Sequence, residues 1–313
     1  MSTLTSFGLG HVSDQRAKTG CSVIYFPQGA NVGCAIMGGG PASRETMLAD
    51  PLTAANKINA LVLAGGSAFG LAASDGVMQC LKDHDIGLET GFAKIPLVIQ
   101  SDIYDLGYGA NDRFPDAKMG YEACLKAMAS LDEQSGNIGA GCGATVGKIM
   151  GMKQASKTGW GFYHENINGI NVWAMVALNA LGDVYDPSNG QIIAGALDPK
   201  RQHFVNTDAL LKQSIVPQWS KTNTTIGAVI TDAAFDKSAL CKLAQMTSCA
   251  YARCISPVFT MMDGDTIYAC SIGDKKVDIN VMGTIMARSM EQALLQACKQ
   301  AKITDEEFLK YCR

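Results

Sequence analysis

The chain has 313 residues, 47% of them hydrophobic and 18% charged, which supports a sizeable buried core and excludes a disordered or fibrous protein. Its 26 basic and 29 acidic residues give a formal net charge of −3 without long runs of one sign, so a general nucleic-acid or anionic-membrane binder is not expected. Length alone allows two domains or one large α/β domain.

In chain order, Met1 to Asp14 lacks a basic flank followed by an apolar stretch, so no signal peptide is expected. Short runs rich in Val and Ile predict strands at Cys21–Phe26, Val32–Met37 and Ala60–Leu63. The uncharged run at residues 58–74 is broken by Asn59, Gly65, Gly66, Ser67, Gly70 and Ser74. It reads as a buried strand turning into a helix over Ala68–Lys82, with Ser67 as its N-cap, and not as a membrane span. A strand at Ile95–Gln100, a helix at Ala117–Ser130 and strands at Asn171–Leu178 and Thr225–Thr231 follow. The polar stretch Asp198–Asn223 reads as a surface excursion. The chain closes with a helix at Lys237–Tyr251, a strand at Thr266–Ser271 and a helix at Val281–Ala301, where Val281, Ile285, Met290, Leu294 and Cys298 mark one face. This alternation predicts an α/β or α+β sandwich.

Eleven cysteines without a C-x-x-C pair, and no signal peptide, point to free thiols in a reducing cytoplasm. Four isolated histidines (His11, His84, His164, His203) give no metal-ligand spacing, so no metal or cofactor is expected. The glycine-rich run Gly139–Lys148 fails the phosphate-loop pattern at Cys142 and Ile149, and fails the dinucleotide pattern as well. Its glycines still predict close backbone approach, and Gly139 and Gly141 are candidate ligand contacts. Cys142 is a candidate thiol at that loop. In Lys157–Glu165 two glycines bracket Trp160, and Tyr163, His164 and Glu165 are candidate acid/base groups, although a surface turn accounts for that segment too.

Several blocks occur in one order: Gly8-Leu9-Gly10-His11, Arg44-Glu45-Thr46, Leu63 to Ala73, Asp116 to Tyr121, Gly136 to Gly141, Asn179 to Val184, Thr231-Asp232-Ala233 and Asp263-Gly264-Asp265-Thr266. In these the chain resembles the DmpA-type aminopeptidases, a family of L-aminopeptidase/D-esterases and β-aminopeptidases, over nearly its whole length. The resemblance implies a single domain over residues 1–313, a four-layer αββα sandwich like that of ornithine acetyltransferase, and a homo-oligomer. It also implies a precursor that cuts itself between a glycine and a Ser or Thr, whose freed hydroxyl and amine then serve as nucleophile and base. The usual self-cleavage segment falls here on Lys157–Phe162, which puts Phe162 at the nucleophile position. A phenyl ring has no oxygen with which to attack, so an uncleaved chain is expected. The resemblance further carries Asn137 as an active-site asparagine able to hold an oxyanion, Tyr104 as the active-site tyrosine, and Asn179 as a residue lining the same cleft.

Three functions follow. The first, favoured because Asn137 and the glycine loop are retained, is a repurposed enzyme acting on a small amine, amide or ester in a cleft shaped by Trp160 and Phe162. The second is a non-catalytic ligand-binding or scaffold protein. The third, ranked last, is an ordinary self-cleaving aminopeptidase with its nucleophile elsewhere, Thr158 being the nearest hydroxyl.

Overall fold

The computed structural model describes residues 6–55, 57–213 and 223–313. Nine strands are linked by hydrogen bonding: β1 (Gly8–Asp14), β2 (Thr19–Ile36), β3 (Ala42–Arg44), β4 (Ile58–Ala64), β5 (Val98–Asp102), β6 (Trp160–Ile167), β7 (Ile170–Asn179), β8 (Thr224–Ala233) and β9 (Thr266–Lys275). Their order is β6-β7-β8-β9-β2-β4-β5-β3, with β1 also on β2. The β4–β5 and β8–β9 pairs are parallel and the others antiparallel.

The path folds into two facing sheets because β2 belongs to both. Separate strands at Cys21–Phe26 and Val32–Met37 were expected here; instead residues 27–29 form an irregularity within one strand, where pairing with β4 jumps between Tyr25 and Ala30. Gly29 supplies the left-handed backbone the jump requires (φ +68°). The first half of β2 pairs with β1 and β4, and the second half with β9.

Strand alternation gives each sheet two apolar faces. Between the sheets Leu9, Ile24, Leu61, Leu63 and Ile99 meet Trp160, Phe162, Met175, Ile226, Ala228, Ile230 and Tyr268. Outside the first sheet Val23, Val62 and Ala64 pack on α1 (Ala73–Asp83) and α2 (Ala117–Ala129). Outside the second, Val172, Ala174, Val176 and Val229 pack on α3 (Lys237–Cys254) and α4 (Ile279–Lys299). The result is the expected four-layer αββα sandwich. Asp116, Asp236 and Asp278 cap α2, α3 and α4 by accepting backbone N–H bonds in the first turn.

Three local expectations differ. Ser67 does not cap: its φ is +53°, and a short 3₁₀ turn (Ser67–Ala72) precedes α1. Residues 160–167 form the edge strand β6, not a turn. Gly161 is there because a Cβ would overlap the Ala293 carbonyl of α4. On α4 the buried series is Met282, Met286, Met290, Ala293 and Leu294, while Val281 faces solvent. Among the described residues no helix is long and apolar enough to cross a membrane.

Candidate active site

The positions expected around Lys157–Glu165 do not converge. Phe162 is 7% exposed in the core between the sheets, and its N–H donates to the Ser135 hydroxyl at 2.9 Å. Trp160 is fully buried there, edge-on to His11 at 5.0 Å. Tyr163 leans on the α4 side of β6, His164 stacks on Trp173 at 4.9 Å at the exposed rim, and Glu165 accepts a 2.5 Å bond from Ser289. Alternation along an edge strand splits these three between opposite faces, so they cannot act on one ligand. Thr158 is buried, its hydroxyl committed to the Leu178 carbonyl at 2.6 Å.

The glycine-rich loop is filled by protein. Ala140 N–H donates to Ser22 Oγ at 3.0 Å and Gly139 N–H to Ser13 Oγ at 2.8 Å. A Cβ at Gly141 would overlap the Trp160 backbone. These glycines therefore serve backbone packing rather than ligand contact. Cys142 is buried, and burial pushes its thiol up to about 11, away from the thiolate form. Asn137 donates to the Ala301 carbonyl at 3.1 Å, and its side-chain oxygen is buried without a partner among the described residues.

A polar cluster gathers instead at one end of the second sheet. Asn179, the last residue of β7, pairs in register with Thr224, the first of β8. Both lie on the inter-sheet face, in line with Ala177 and Ile226. The Thr224 hydroxyl donates to the carbonyl oxygen of Asn223, and the same oxygen accepts Gly264 N–H at 3.0 Å. Asn223 is 3% exposed, and among the described residues neither polar atom of its side chain has a partner.

Two carboxylates flank Gly264. Asp263 accepts from Leu181 N–H (3.3 Å) and Thr260 N–H (3.1 Å), and Asp265 from Thr225 N–H (2.6 Å) and Phe259 N–H (3.1 Å). Burial raises both; Asp265 is pushed up to about 8 by desolvation and then by the neighbouring Asp263 charge. Opposite them, Lys148 is buried with its Nζ on the Thr145 carbonyl (2.9 Å), the Asn179 carbonyl (3.0 Å) and Asn179 Oδ1 (2.9 Å). Desolvation lowers it to about 7, against the pull of Asp263, Asp265 and Asp105. Asn179 completes the linkage by donating to the Tyr104 carbonyl at 2.9 Å.

Of the expected residues, then, Asn179 and Tyr104 come together, Tyr104 through its backbone. Thr224, Asn223, Lys148, Asp263 and Asp265 were missed as a site. The available signals were an Asn-Thr-Thr step opening a strand and two aspartates one glycine apart. The arrangement offers a hydroxyl poised on a peptide carbonyl, a backbone donor to that carbonyl's oxygen, and an amine able to change protonation near neutral pH. Among the described residues no group of His, Cys, Asp or Glu is arranged to hold a metal ion.

Comparison with known proteins covers almost the same extent. The sequence profile of peptidase family S58 matches residues 5–307. An uncharacterized aminopeptidase of Mycobacterium leprae is 36% identical over 267 residues, 81% of this chain and 71% of that protein. A 6-aminohexanoate-oligomer endohydrolase of Kocuria sp. is 29% identical over 310 residues, 93% of this chain and 83% of that protein. Among solved structures, the L-aminopeptidase D-Ala-esterase/amidase of Ochrobactrum anthropi, described as a variant of the Ntn hydrolase fold, superposes with a TM-score of 0.67 at 16% identity. That match covers 95% of this chain and 84% of the other. A Burkholderia sp. β-aminopeptidase gives 0.68 at 15% identity, covering 94% and 84%.

Proposed function

The chain belongs to peptidase family S58, and from that premise we propose that it is an amide hydrolase that activates itself by cutting between Asn223 and Thr224. The observation that carries this reading is the Thr224 hydroxyl, buried at the start of a central strand and hydrogen-bonded to the carbonyl group it would attack. Thr224 Oγ adds to the Asn223 carbonyl carbon while the hydroxyl proton passes to neutral Lys148. The developing oxyanion keeps its Gly264 N–H bond. The Asn223–Thr224 C–N bond then breaks, leaving an ester on Oγ and a protonated α-amine. Water hydrolyses the ester and frees the Asn223 carboxylate. Thr224, now N-terminal, holds a hydroxyl nucleophile and an amine base for a small amide or ester substrate.

This reading departs from the glycine expected before the cleaved bond, since Asn223 stands there. It stands in place of the loss of the nucleophile inferred at Phe162, whose ring packs in the core between the sheets. Intact mass and a denaturing gel test it. The wild-type chain is expected as two pieces, 1–223 and 224–313, that hydrolyse aminoacyl anilides or D-amino-acid esters. Thr224→Ala is expected to stay whole and inactive, and Thr224→Ser to split. Splitting by Thr224→Ala, or turnover by an unsplit wild-type chain, would refute the proposal. A whole chain with no turnover would leave the binding or scaffold role.

A further inference from the structure

A third carboxylate lies behind the cluster on elements the mechanism does not use. Asp105 is 3% exposed, just beyond the end of β5. One of its oxygens accepts from the Thr19 hydroxyl at 2.7 Å and the other from Gly66 N–H at 2.8 Å. Room for it is made by two glycines: a Cβ at Gly65 would overlap its Oδ2, and one at Gly143 would lie 2.7 Å from its Cβ. Its chain neighbour Tyr104 presents the carbonyl that holds Asn179 Nδ2, which turns Asn179 Oδ1 toward Lys148 Nζ and Thr145 N–H.

Resting on the Thr224 reading, we propose that Asp105 is a positioning residue for self-cleavage: its buried carboxylate fixes the Tyr104 carbonyl that decides which way the Asn179 amide faces. An amide held the other way would direct NH₂ at the Lys148 amine and leave Thr145 N–H without its acceptor. Asp105 also acts through its charge. The groups facing Lys148 are Asp263 and Asp265 from the loop before β9 and Asp105 from the loop after β5, and each favours the ammonium form. Asp105 itself faces Lys157, Asp102 and Cys142; burial lowers Lys157 to about 7 and raises Asp105 to about 6.

The test is the pH dependence of self-cleavage, followed by intact mass in freshly purified precursor between pH 5 and 9. In the wild type the rate is expected to rise through about pH 7, as Lys148 gives up its proton. Asp105→Asn keeps an oxygen for Gly66 N–H and can turn its NH₂ to the Thr19 hydroxyl. Without the negative charge its midpoint is expected to move to lower pH, and its plateau to fall with the loosened Asn179. Asp105→Ala, which also lacks the charge, is expected to share the lowered midpoint and to cut about a hundredfold more slowly at its plateau, the scale of a misplacement of about 1 Å. Thr19→Val withdraws one bond to the carboxylate, and should shift the midpoint the same way by less; it serves if Asp105→Asn does not fold. A purely structural role would lower the melting temperature without moving the midpoint. A midpoint and plateau equal to wild type in Asp105→Asn, or in Thr19→Val if only that variant folds, would overturn the proposal even with Thr224→Ala uncut. Cutting by Thr224→Ala would instead overturn the reading beneath it.

Discussion

Thr224 and Thr225 are adjacent, yet only one has its oxygen on a peptide carbonyl. Successive side chains on a strand point to opposite faces. Thr224 therefore opens toward the space between the sheets, while Thr225 donates its backbone N–H to Asp265 and turns its side chain toward the helix layer. The space beside the Thr224 hydroxyl is set by Gly264, where a Cβ would stand 2.8 Å from Thr224 Oγ1 and 2.8 Å from the Gly40 carbonyl oxygen. Gly264→Ala is expected to push that hydroxyl off its carbonyl and slow self-cleavage about tenfold to a hundredfold, and to lower the melting temperature because the Gly40 backbone must also give way. Cleavage at the wild-type rate would show that this close approach is not required. At the same scale the Phe162 ring belongs to the core, and nothing in its own sequence neighbourhood distinguishes a buried phenyl group from one replacing a nucleophile.

At the level of elements, the cluster forms because the end of β7 and the start of β8 coincide. Antiparallel register sets Asn179 opposite Thr224, and the loop entering β9 brings Asp263 to Asp265 alongside. Edge strand β6 was not expected because Gly159 and Gly161 resemble turn signals, whereas Gly161 lets α4 approach the sheet. Gly161→Ala is expected to destabilise the protein by about 1–3 kcal/mol through overpacking against Ala293. A urea midpoint that matches wild type would refute that account. The same reasoning explains the 139–147 loop, where glycines that suggested a phosphate or ligand loop admit neighbouring backbone instead.

Across the whole molecule, the two sheets share β2, and their facing surfaces meet through side chains. One polar contact bridges them inside the apolar core: Ser101 on β5 and Tyr268 on β9 share a 2.7 Å hydroxyl–hydroxyl bond, with both residues buried. Tyr268→Phe should cost about 1–3 kcal/mol by leaving the Ser101 hydroxyl unpaired, read as a lower urea midpoint with an unchanged slope. No loss would mean that Ser101 finds another partner. The sequence by itself determined the layered α/β class, most strands and helices, and membership of the family, because hydrophobic periodicity and turn residues act locally and ordered blocks can be read along the chain. Only the tertiary structure decided which side chains meet. Lys148, Asn179, Thr224, Asp263 and Asp265 lie far apart in sequence and converge through strand order and register, which no local pattern encodes.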